Sequence, residues 1–184
     1  MKSYGGGIRE FDFLLIDGYN IIHDWSNLAE LAEASLELAR DKLISMVANY
    51  QGFRDIKTII VFDAHKIRGG REKIEKYGNL TVVYTAEFET ADGYIERVTA
   101  LLMREIKRFR VAVATGDHVE QVIIMGRGAI RLSARDLLQD IERAEVEIRR
   151  KIQLARPIKK NALLDNLDPE MAKLLEEMRM RKDL

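Results

Sequence analysis

The sequence predicts an α/β fold in which a central, mostly parallel β-sheet carries helices on both faces. Short apolar runs rich in β-branched residues alternate with longer segments whose apolar residues recur at helical spacing. Strands separated by helices pair in parallel through right-handed crossovers, and a parallel sheet is buried on both faces. We therefore expect a three-layer domain with its ligand crevice beyond the carboxyl ends of the strands.

The first half of the chain begins with a glycine-rich leader over residues 1–10. A first strand is predicted at Phe11–Ile16, where an apolar run ends at an acid. Leu28–Tyr50 has the periodicity of one long amphipathic helix, with Leu38 near its apolar stripe. Thr58–Phe62 and Leu80–Tyr84 are β-branched runs and predict the second and third strands. The basic segment between them, 67–79, is expected to be a partly helical connection.

The second half continues the alternation. Apolar residues at helical spacing predict a helix over Ala91–Phe109, and Val111–Ala114 predicts the fourth strand. Glu120–Met125 is compatible with helix or strand, Gly126–Gly128 with a turn, and Ala129–Leu132 with a short fifth strand.

Two helices are expected near the carboxyl terminus. Ser133 and Asp136 have the spacing of a capping box, which predicts a helix from Ser133 to about Gln153. Pro157 ends the regular segment, and Asp168 caps a final helix with Pro169 in its first turn. The predicted organisation is a leader at 1–10, a domain at 11–155, and a linker with a terminal helix at 156–184.

Composition excludes several classes of protein. The chain has 184 residues, of which 47% are hydrophobic and 33% charged, and it contains no cysteine. A disulfide framework and thiolate metal sites are therefore excluded. No apolar run approaches the ~18–20 residues of a membrane span, and the leader lacks the apolar region of a signal peptide. We expect a cytoplasmic protein without a membrane partner; nothing in the sequence indicates its oligomeric state.

Acidic residues follow four successive predicted strands. Because the carboxyl ends of parallel strands meet at one edge of the sheet, these side chains are expected to converge. Turn chemistry or helix capping explains each acid taken singly. Together they would repel one another unless a cation neutralised them. The acids concerned are Asp17, Asp63, Glu89, Asp92 and Asp117.

Hard oxygen ligands, with no cysteine and no pair of histidines at ligand spacing, favour Mg²⁺ or Mn²⁺ over zinc. An ion held by Asp17, Asp92 and Asp117 can activate water and clamp a phosphoryl oxygen. The predicted chemistry is phosphodiester hydrolysis, with Asn20 orienting a ligand or water. His118, beside Asp117, is the histidine best placed to take part. No P-loop motif and no complete dinucleotide-binding glycine motif is present.

Two basic segments could bind the backbone of a polyanion, although the 30 basic residues are balanced by 30 acidic ones. Solvated surface is an equally good explanation for either segment. Tyr19 could stack on a base or could be a packed turn aromatic. The candidate residues for binding such a polyanion are Tyr19, Lys66, Arg68, Arg71, Lys73, Arg149, Arg150 and Lys151.

In combination, several motifs resemble the YacP-type subgroup of NYN domains, a branch of the PIN-like nuclease superfamily. They are Ile16–Asn20, Val61–His65, Glu89–Asp92, Ala114–Gln121, Gly126–Ala129 and Ser133–Leu138. The resemblance runs from about Phe11 to the last helix. It implies a PIN-like, Rossmann-like fold and a metal-dependent endoribonuclease.

The resemblance also implies roles for individual residues. Asp17, Asn20, Asp92 and Asp117 take the family's metal and catalytic positions. Asp63 and Glu89 fall within matching motifs. Gln121 stands where some relatives carry another acid, which would weaken a second metal position. Gly116 stands where serine or asparagine is common, which would remove a hydrogen bond.

The subgroup is associated with cleavage of mRNA on the translating ribosome, so the resemblance implies RNA and the ribosome as partners. Two other functions stay open at the level of the sequence. One is an RNA- or ribosome-binding adaptor that has the fold but no catalysis. The other is a small-molecule phosphohydrolase, which the absence of an acid two residues after Asp17 disfavours.

Overall fold

The computed structural model describes residues 11–63, 72–105, 110–116 and 128–155. Several predictions fall outside these ranges. They concern the terminal helix, the segment Glu120–Met125, and most of the basic segment before residue 72. The leader at 1–10 and the end of the helix predicted to reach Phe109 also lie outside the described residues.

The described residues form one six-stranded sheet in the order β3-β4-β2-β1-β5-β6. The strands are β1 Phe13–Asp17, β2 Lys57–Phe62, β3 Lys73–Tyr77, β4 Leu80–Tyr84, β5 Val111–Ala114 and β6 Ile130–Leu132. Every pairing is parallel except that of β3 with β4. The helices are α1 Gly18–Asp24, α2 Ser26–Ala34, α3 Leu36–Arg54, α4 Ala91–Glu105 and α5 Ala134–Ala155. The predicted mostly parallel α/β sheet is confirmed.

Strand β1 lies at the centre of the sheet, and its register sets the position of the candidate site. It pairs with β2 on one side, where Asp17 is opposite Val61, and with β5 on the other, where Ile16 is opposite Ala114. The chain leaves β1 toward β2 but later crosses back to place β5 on the opposite side. Open α/β sheets bind ligands at the carboxyl ends of strands where the order reverses in this way.

Alternate residues of the central strands enter two separate cores. Leu14 and Ile60 face the core that α1, α2, α3 and the first half of α5 cover. Leu15 and Val61 face the core that α4 covers. Because both faces are buried, the strands have continuous apolar sequences, and the predicted three-layer arrangement is confirmed.

The single helix predicted over Leu28–Tyr50 is wrong, because the chain forms α2 and α3 with a break at Ser35. Ser35 has extended backbone angles, and its side-chain oxygen accepts a hydrogen bond from the amide of Leu38. An N-cap residue has a non-helical backbone, so the helix before Ser35 ends where the new helix begins. Leu38, placed in the apolar stripe by its spacing, is 54% exposed. The short helix α1 was also not predicted.

The partly helical connection predicted for 67–79 is wrong in its described part. Lys73–Tyr77 is an edge strand that pairs antiparallel with β4 through a hairpin at Gly78 and Asn79. Four of its five residues are exposed, so burial imposes no alternating apolar pattern on the sequence.

The helix start predicted at Ser133 is confirmed, with Ser133 as the N-cap, but the side chain of Asp136 bonds the serine hydroxyl rather than the backbone amide of a standard capping box. The amide of Asp136 donates to Ser133 Oγ at 3.1 Å, and the serine hydroxyl donates to Asp136 Oδ2. The helix begins at Ala134 and ends at Ala155. The chain divides into compact units at 1–146 and 147–184, so the boundary lies within α5. The predicted domain limits at 11–155 and 156–184 stay predictions.

Among the described helices, none combines the length and apolarity that a bilayer-spanning segment needs.

Candidate functional site

Asp17 is the last residue of β1 and also the N-cap of α1. Its Oδ1 accepts a hydrogen bond from the amide of Asn20 at 3.1 Å. The backbone at Gly18, the first residue of α1, lies against the ring of Phe62. Only glycine fits there, because a Cβ would lie 2.3 Å from that ring. Asp17 is thus fixed by the start of α1 and is only 7% exposed.

The surroundings of Asp17 oppose its ionisation. The pKa of Asp17 is raised to about 6, mainly by burial, with smaller contributions from the charge and hydrogen bond of Asp92 and the charge of Asp63. The backbone hydrogen bond from Asn20 acts in the opposite direction. A hydrogen bond between Asp17 and Asp92 means that two acidic side chains are in contact at the end of β1. Such a pair favours either a shared proton or a bound cation.

Asp92 reaches Asp17 from the first turn of α4. Thr90 fixes the start of this helix, since its Oγ1 accepts from the amide of Gly93 at 3.1 Å. Asp92 is exposed, whereas Asp17 is buried. The pair therefore has one acid anchored in the sheet and one open to solvent, which gives an ion or substrate access from one side.

Asn20 links the site to the segment that follows β5, the second strand paired with β1. Its side-chain Oδ1 accepts a hydrogen bond from the amide of Gly116 at 2.8 Å, just beyond the end of β5. A Cβ at Gly116 would lie 2.5 Å from this oxygen and 2.6 Å from Asp24 Oδ2. The space that a serine or asparagine side chain would occupy is thus filled by Asn20 and Asp24.

Asp24 is an acid near the site that the sequence analysis missed. It lies four residues after Asn20 on α1, so the two side chains share a face of that helix. The spacing of four residues between Asn20 and Asp24 would have placed both on one face of a helix, but α1 itself was not predicted.

Three predicted site residues, Asp117, His118 and Gln121, lie outside the described residues. Within the described part of the chain, no group of three or more acids or histidines could hold a metal ion. The described site is therefore the pair Asp17–Asp92, with Asp63 close enough to affect Asp17. A divalent cation fits this pair, because both ligands are hard oxygen donors and a cation removes their repulsion.

Glu89 has a different environment from the two acids in contact. Its Oε1 lies 2.5 Å from Arg97 Nη2, in a salt bridge with the second turn of α4. This pairing balances its charge and holds the loop between β4 and α4. The described partner of Glu89 is thus Arg97, and Glu89 is not among the groups that shift the pKa of Asp17.

Tyr19 points away from Asn20, toward β2 and β4. Its ring meets Phe62 edge-on with the centroids 5.2 Å apart, and Phe62 in turn stacks on Tyr84 at 5.5 Å. The Tyr19 hydroxyl accepts a hydrogen bond from Arg40 Nη1 at 3.1 Å. Arg40 was not among the predicted site residues, because its place depends on how α3 packs against the sheet.

The remaining predicted RNA-binding residues fall into three groups along the chain. Lys73 is exposed on β3 and lies 2.7 Å from Glu75 Oε1. Arg149, Arg150 and Lys151 are exposed on α5, within the second compact unit. Lys66, Arg68 and Arg71 lie outside the described residues.

Comparison with known proteins agrees with the resemblance seen in the motifs. The family model for the YacP-like NYN domain matches residues 14–180. The chain is 42% identical over 176 residues to the Bacillus subtilis protein named "Uncharacterized protein YacP", covering 94% of this chain and 99% of that one.

Crystal structures of Rae1 (YacP) from Bacillus subtilis are similar to the structure of this chain. The W164L mutant gives a TM-score of 0.68 at 36% identity, covering 91% of this chain and 99% of the other. A second crystal structure, with no mutation in its name, gives a TM-score of 0.66 at 41% identity, covering 92% and 95%.

Proposed function

The chain belongs to the YacP-like NYN domain family, a branch of the PIN-like nuclease superfamily, and from this premise we propose that it is a divalent-metal-dependent endoribonuclease. The contact between the buried carboxyl of Asp17 and Asp92 is the observation that supports the proposal most strongly. A fold needs no such contact for its stability, because burial and like charge both make it unfavourable. Paired acids at a strand end are what a metal site for phosphodiester hydrolysis requires.

Asp17, Asp92 and Asp117 are the residues that would hold Mg²⁺ or Mn²⁺. The ion would polarise a phosphodiester oxygen and make an attacking water more acidic. Asp17 contributes a carboxylate fixed by the N-cap geometry of α1, and Asp92 contributes one that faces solvent. Asn20 holds the chain at Gly116, the residue before Asp117, without adding a further negative charge.

RNA, and specifically mRNA on the translating ribosome, is the substrate that membership of the family suggests. Asp63 is a further candidate ligand or charge neighbour, while Glu89 has a structural partner in Arg97. An adaptor without catalysis would keep the fold but would have no need for acids in contact. The expected cytoplasmic location stays a prediction.

A cleavage assay tests the proposal. A labelled mRNA is incubated with the protein, free and on programmed ribosomes, with Mn²⁺ or with chelator. We expect cleavage that needs the metal and is lost in Asp17→Asn. The matched control is Asp55→Asn, since Asp55 is exposed at the opposite edge of the sheet and asparagine tolerates its left-handed backbone (φ 53°).

Each outcome separates the candidate functions. Cleavage of the ribosome-bound mRNA alone supports the ribosome as the site of action, and equal cleavage of free RNA contradicts it. Binding of RNA or ribosomes without cleavage under any condition supports the adaptor. Hydrolysis of a phosphomonoester without RNA cleavage supports the phosphohydrolase.

A further inference from the structure

Arg40, on α3, combines partial burial with a fixed guanidinium. One of its nitrogens donates to the Tyr19 hydroxyl at 3.1 Å. The guanidinium carbon lies 5.8 Å from the centre of the Tyr84 ring. Two aromatic side chains thus lie against this cation, and a single hydrogen bond to Tyr19 leaves most of its donors available.

Arg40 differs from Arg54, Arg97 and Arg110 in its charge balance. Arg54 lies 2.6 Å from Asp140, Arg97 lies 2.5 Å from Glu89, and Arg110 faces Asp12 at 3.9 Å. Within the described residues, Arg40 has no carboxylate partner; its side chain contacts Tyr19 and Tyr84. A positioned cation that no acid neutralises is suited to an anionic ligand.

The contact with Tyr19 places Arg40 beside the candidate metal site. Tyr19 lies in sequence between Asp17 and Asn20, so its backbone belongs to the turn that carries the site. Asn20 reaches toward the end of β5, while Tyr19 reaches toward Phe62 and the end of β4. Arg40 is therefore one tyrosine side chain away from the turn, on the side where β2 and β4 end.

We propose that Arg40 binds a phosphate of the RNA strand next to the phosphate that is cleaved, with Tyr19 as the positioning residue that holds the guanidinium. This inference rests on the proposed function and names a part of its substrate site. A planar guanidinium can donate two parallel hydrogen bonds to phosphate oxygens, which a lysine cannot. The strand then crosses the sheet edge from Asp92, on the α4 side, to Arg40, on the α3 side.

Lys73 is a weaker candidate for the same role. Its Nζ also lies near Tyr84, 5.6 Å from the ring centre, but its charge is balanced by Glu75 at 2.7 Å. Its side chain is 68% exposed, so binding would have to order a mobile, already paired group. The assignment also gives Tyr19 a role other than base stacking, because its hydroxyl and one ring edge are already engaged.

Salt-dependent binding of RNA tests the inference. Affinity for a fluorescent single-stranded RNA is measured against KCl concentration, with chelator present so that the strand stays intact. For Arg40→Gln we expect binding about 10-fold weaker at low salt and a salt slope smaller by about 0.7, the value for one lost phosphate contact on a single strand. Arg40→Lys is expected to keep the slope and to bind more weakly than the wild type.

Two variants separate a phosphate contact from a structural effect. Lys42→Gln removes one positive charge two residues further along the same helix, at an exposed position, and is expected to leave the slope unchanged. Tyr19→Phe is expected to weaken binding several-fold alone and to have no effect when combined with Arg40→Gln. Equal slopes for wild type and Arg40→Gln, including no measurable binding by either, would overturn the inference.

Thermal unfolding checks that Arg40→Gln is folded. If it is not, Arg40→Lys decides the question, since unchanged affinity there overturns the inference. The proposed function fails separately, through an absence of metal-dependent cleavage by the wild type. A slope difference without cleavage keeps Arg40 as a contact to an RNA phosphate but rejects the nuclease, and with it the place of that phosphate beside a cleaved one. Cleavage with equal slopes keeps the nuclease and rejects the Arg40 contact.

Discussion

Two polar clusters of the molecule differ in what surrounds a partly buried acid: a cation in one and a second acid in the other. Between α3 and α5, Asp140 Oδ1 lies 2.6 Å from Arg54 Nη2, and its second oxygen accepts a hydrogen bond from the hydroxyl of buried Tyr50. At the carboxyl edge of the sheet, Asp17 instead meets another acid, Asp92. The first cluster contains a compensating cation and the second does not, within the described residues.

The difference indicates which cluster serves the fold and which serves function. The Asp140 cluster joins two helices that cover the same core, and its charges are balanced. The Asp17 cluster is unfavourable for the folded protein in the absence of a ligand, because burial and neighbouring acids raise the pKa of Asp17. A destabilising arrangement at a strand end is characteristic of a binding or catalytic site.

The largest expected effect is on catalysis at the acid pair. Asp92→Asn removes one of the two charges that face the ion and is expected to lower RNA cleavage by roughly 100-fold or more. Glu96→Gln, one turn later on α4, is the matched control and should cleave within about 2-fold of the wild type, a change equivalent to only a few tenths of a kcal/mol. Single-turnover kinetics with saturating Mn²⁺ measure both. Comparable losses in the two variants would show that α4 charge in general, rather than Asp92, is responsible.

The second prediction concerns the cost of burying Asp17. Its ordinary pKa is 3.8 and its folded value is about 6, so the folded state holds the proton more tightly. Stability of the metal-free protein should therefore fall as pH rises from about 4 to about 6. Asp17→Asn avoids this loss and should be more stable at pH 7.5 by up to about 3 kcal/mol.

Urea unfolding with chelator, at pH 4 and pH 7.5, measures the effect. The difference between Asp17→Asn and wild type should be present at pH 7.5 and nearly absent at pH 4. Asparagine is also a good N-cap, so the bond from the Asn20 amide can be kept. A variant less stable than wild type at pH 7.5 would contradict the view that Asp17 is held at a cost to the fold.

The Asp140 cluster should respond in the opposite way. Asp140→Ala leaves Arg54 and the Tyr50 hydroxyl without this partner and is expected to destabilise the protein by about 2 kcal/mol. Cleavage per folded molecule should not change. Chemical unfolding measures the loss of stability. Cleavage is assayed roughly 15–20 °C below the thermal unfolding midpoint of the variant, where a loss of a few kcal/mol still leaves it folded. A loss of cleavage in fully folded protein would argue against assigning this cluster to the fold alone.

The smallest expected effect is at Gly116. In Gly116→Ala the new methyl group would lie 2.5 Å from Asn20 Oδ1 and 2.6 Å from Asp24 Oδ2, so both side chains must shift. We expect about 1 kcal/mol of destabilisation and a several-fold loss of cleavage. Asp24→Ala combined with Gly116→Ala should recover part of the stability, because the Asp24 carboxylate is gone. No recovery would place the strain elsewhere.

The buried strands were predicted well because burial on both faces requires apolar side chains at nearly every position, which is visible in the sequence. β2 and β4 are rich in buried β-branched and aromatic residues, and their observed limits differ from the predicted ones by at most one residue. The edge strand β3 was missed because four of its five residues are exposed. The break at Ser35 was missed because a serine inside an amphipathic pattern signals a cap only once the new helix is seen.

The candidate site divides in the same manner. Asp17 and Asp92 could be predicted to meet, since strand ends of a parallel sheet share an edge, and the structure brings them together. The position of Arg40 could not be predicted, because its contacts with Tyr19 and Tyr84 depend on how α3 packs across the sheet. Contacts between elements distant in sequence have no periodic signal in a single chain.

Cleavage of a labelled RNA as a function of Mn²⁺ concentration tests the central claim most directly. The account predicts cleavage by the wild type that rises and saturates with Mn²⁺, disappears with chelator, and is absent from Asp17→Asn while Asp55→Asn follows the wild type. Cleavage that is unaffected by chelator, or that Asp17→Asn retains at the wild-type rate, would contradict it.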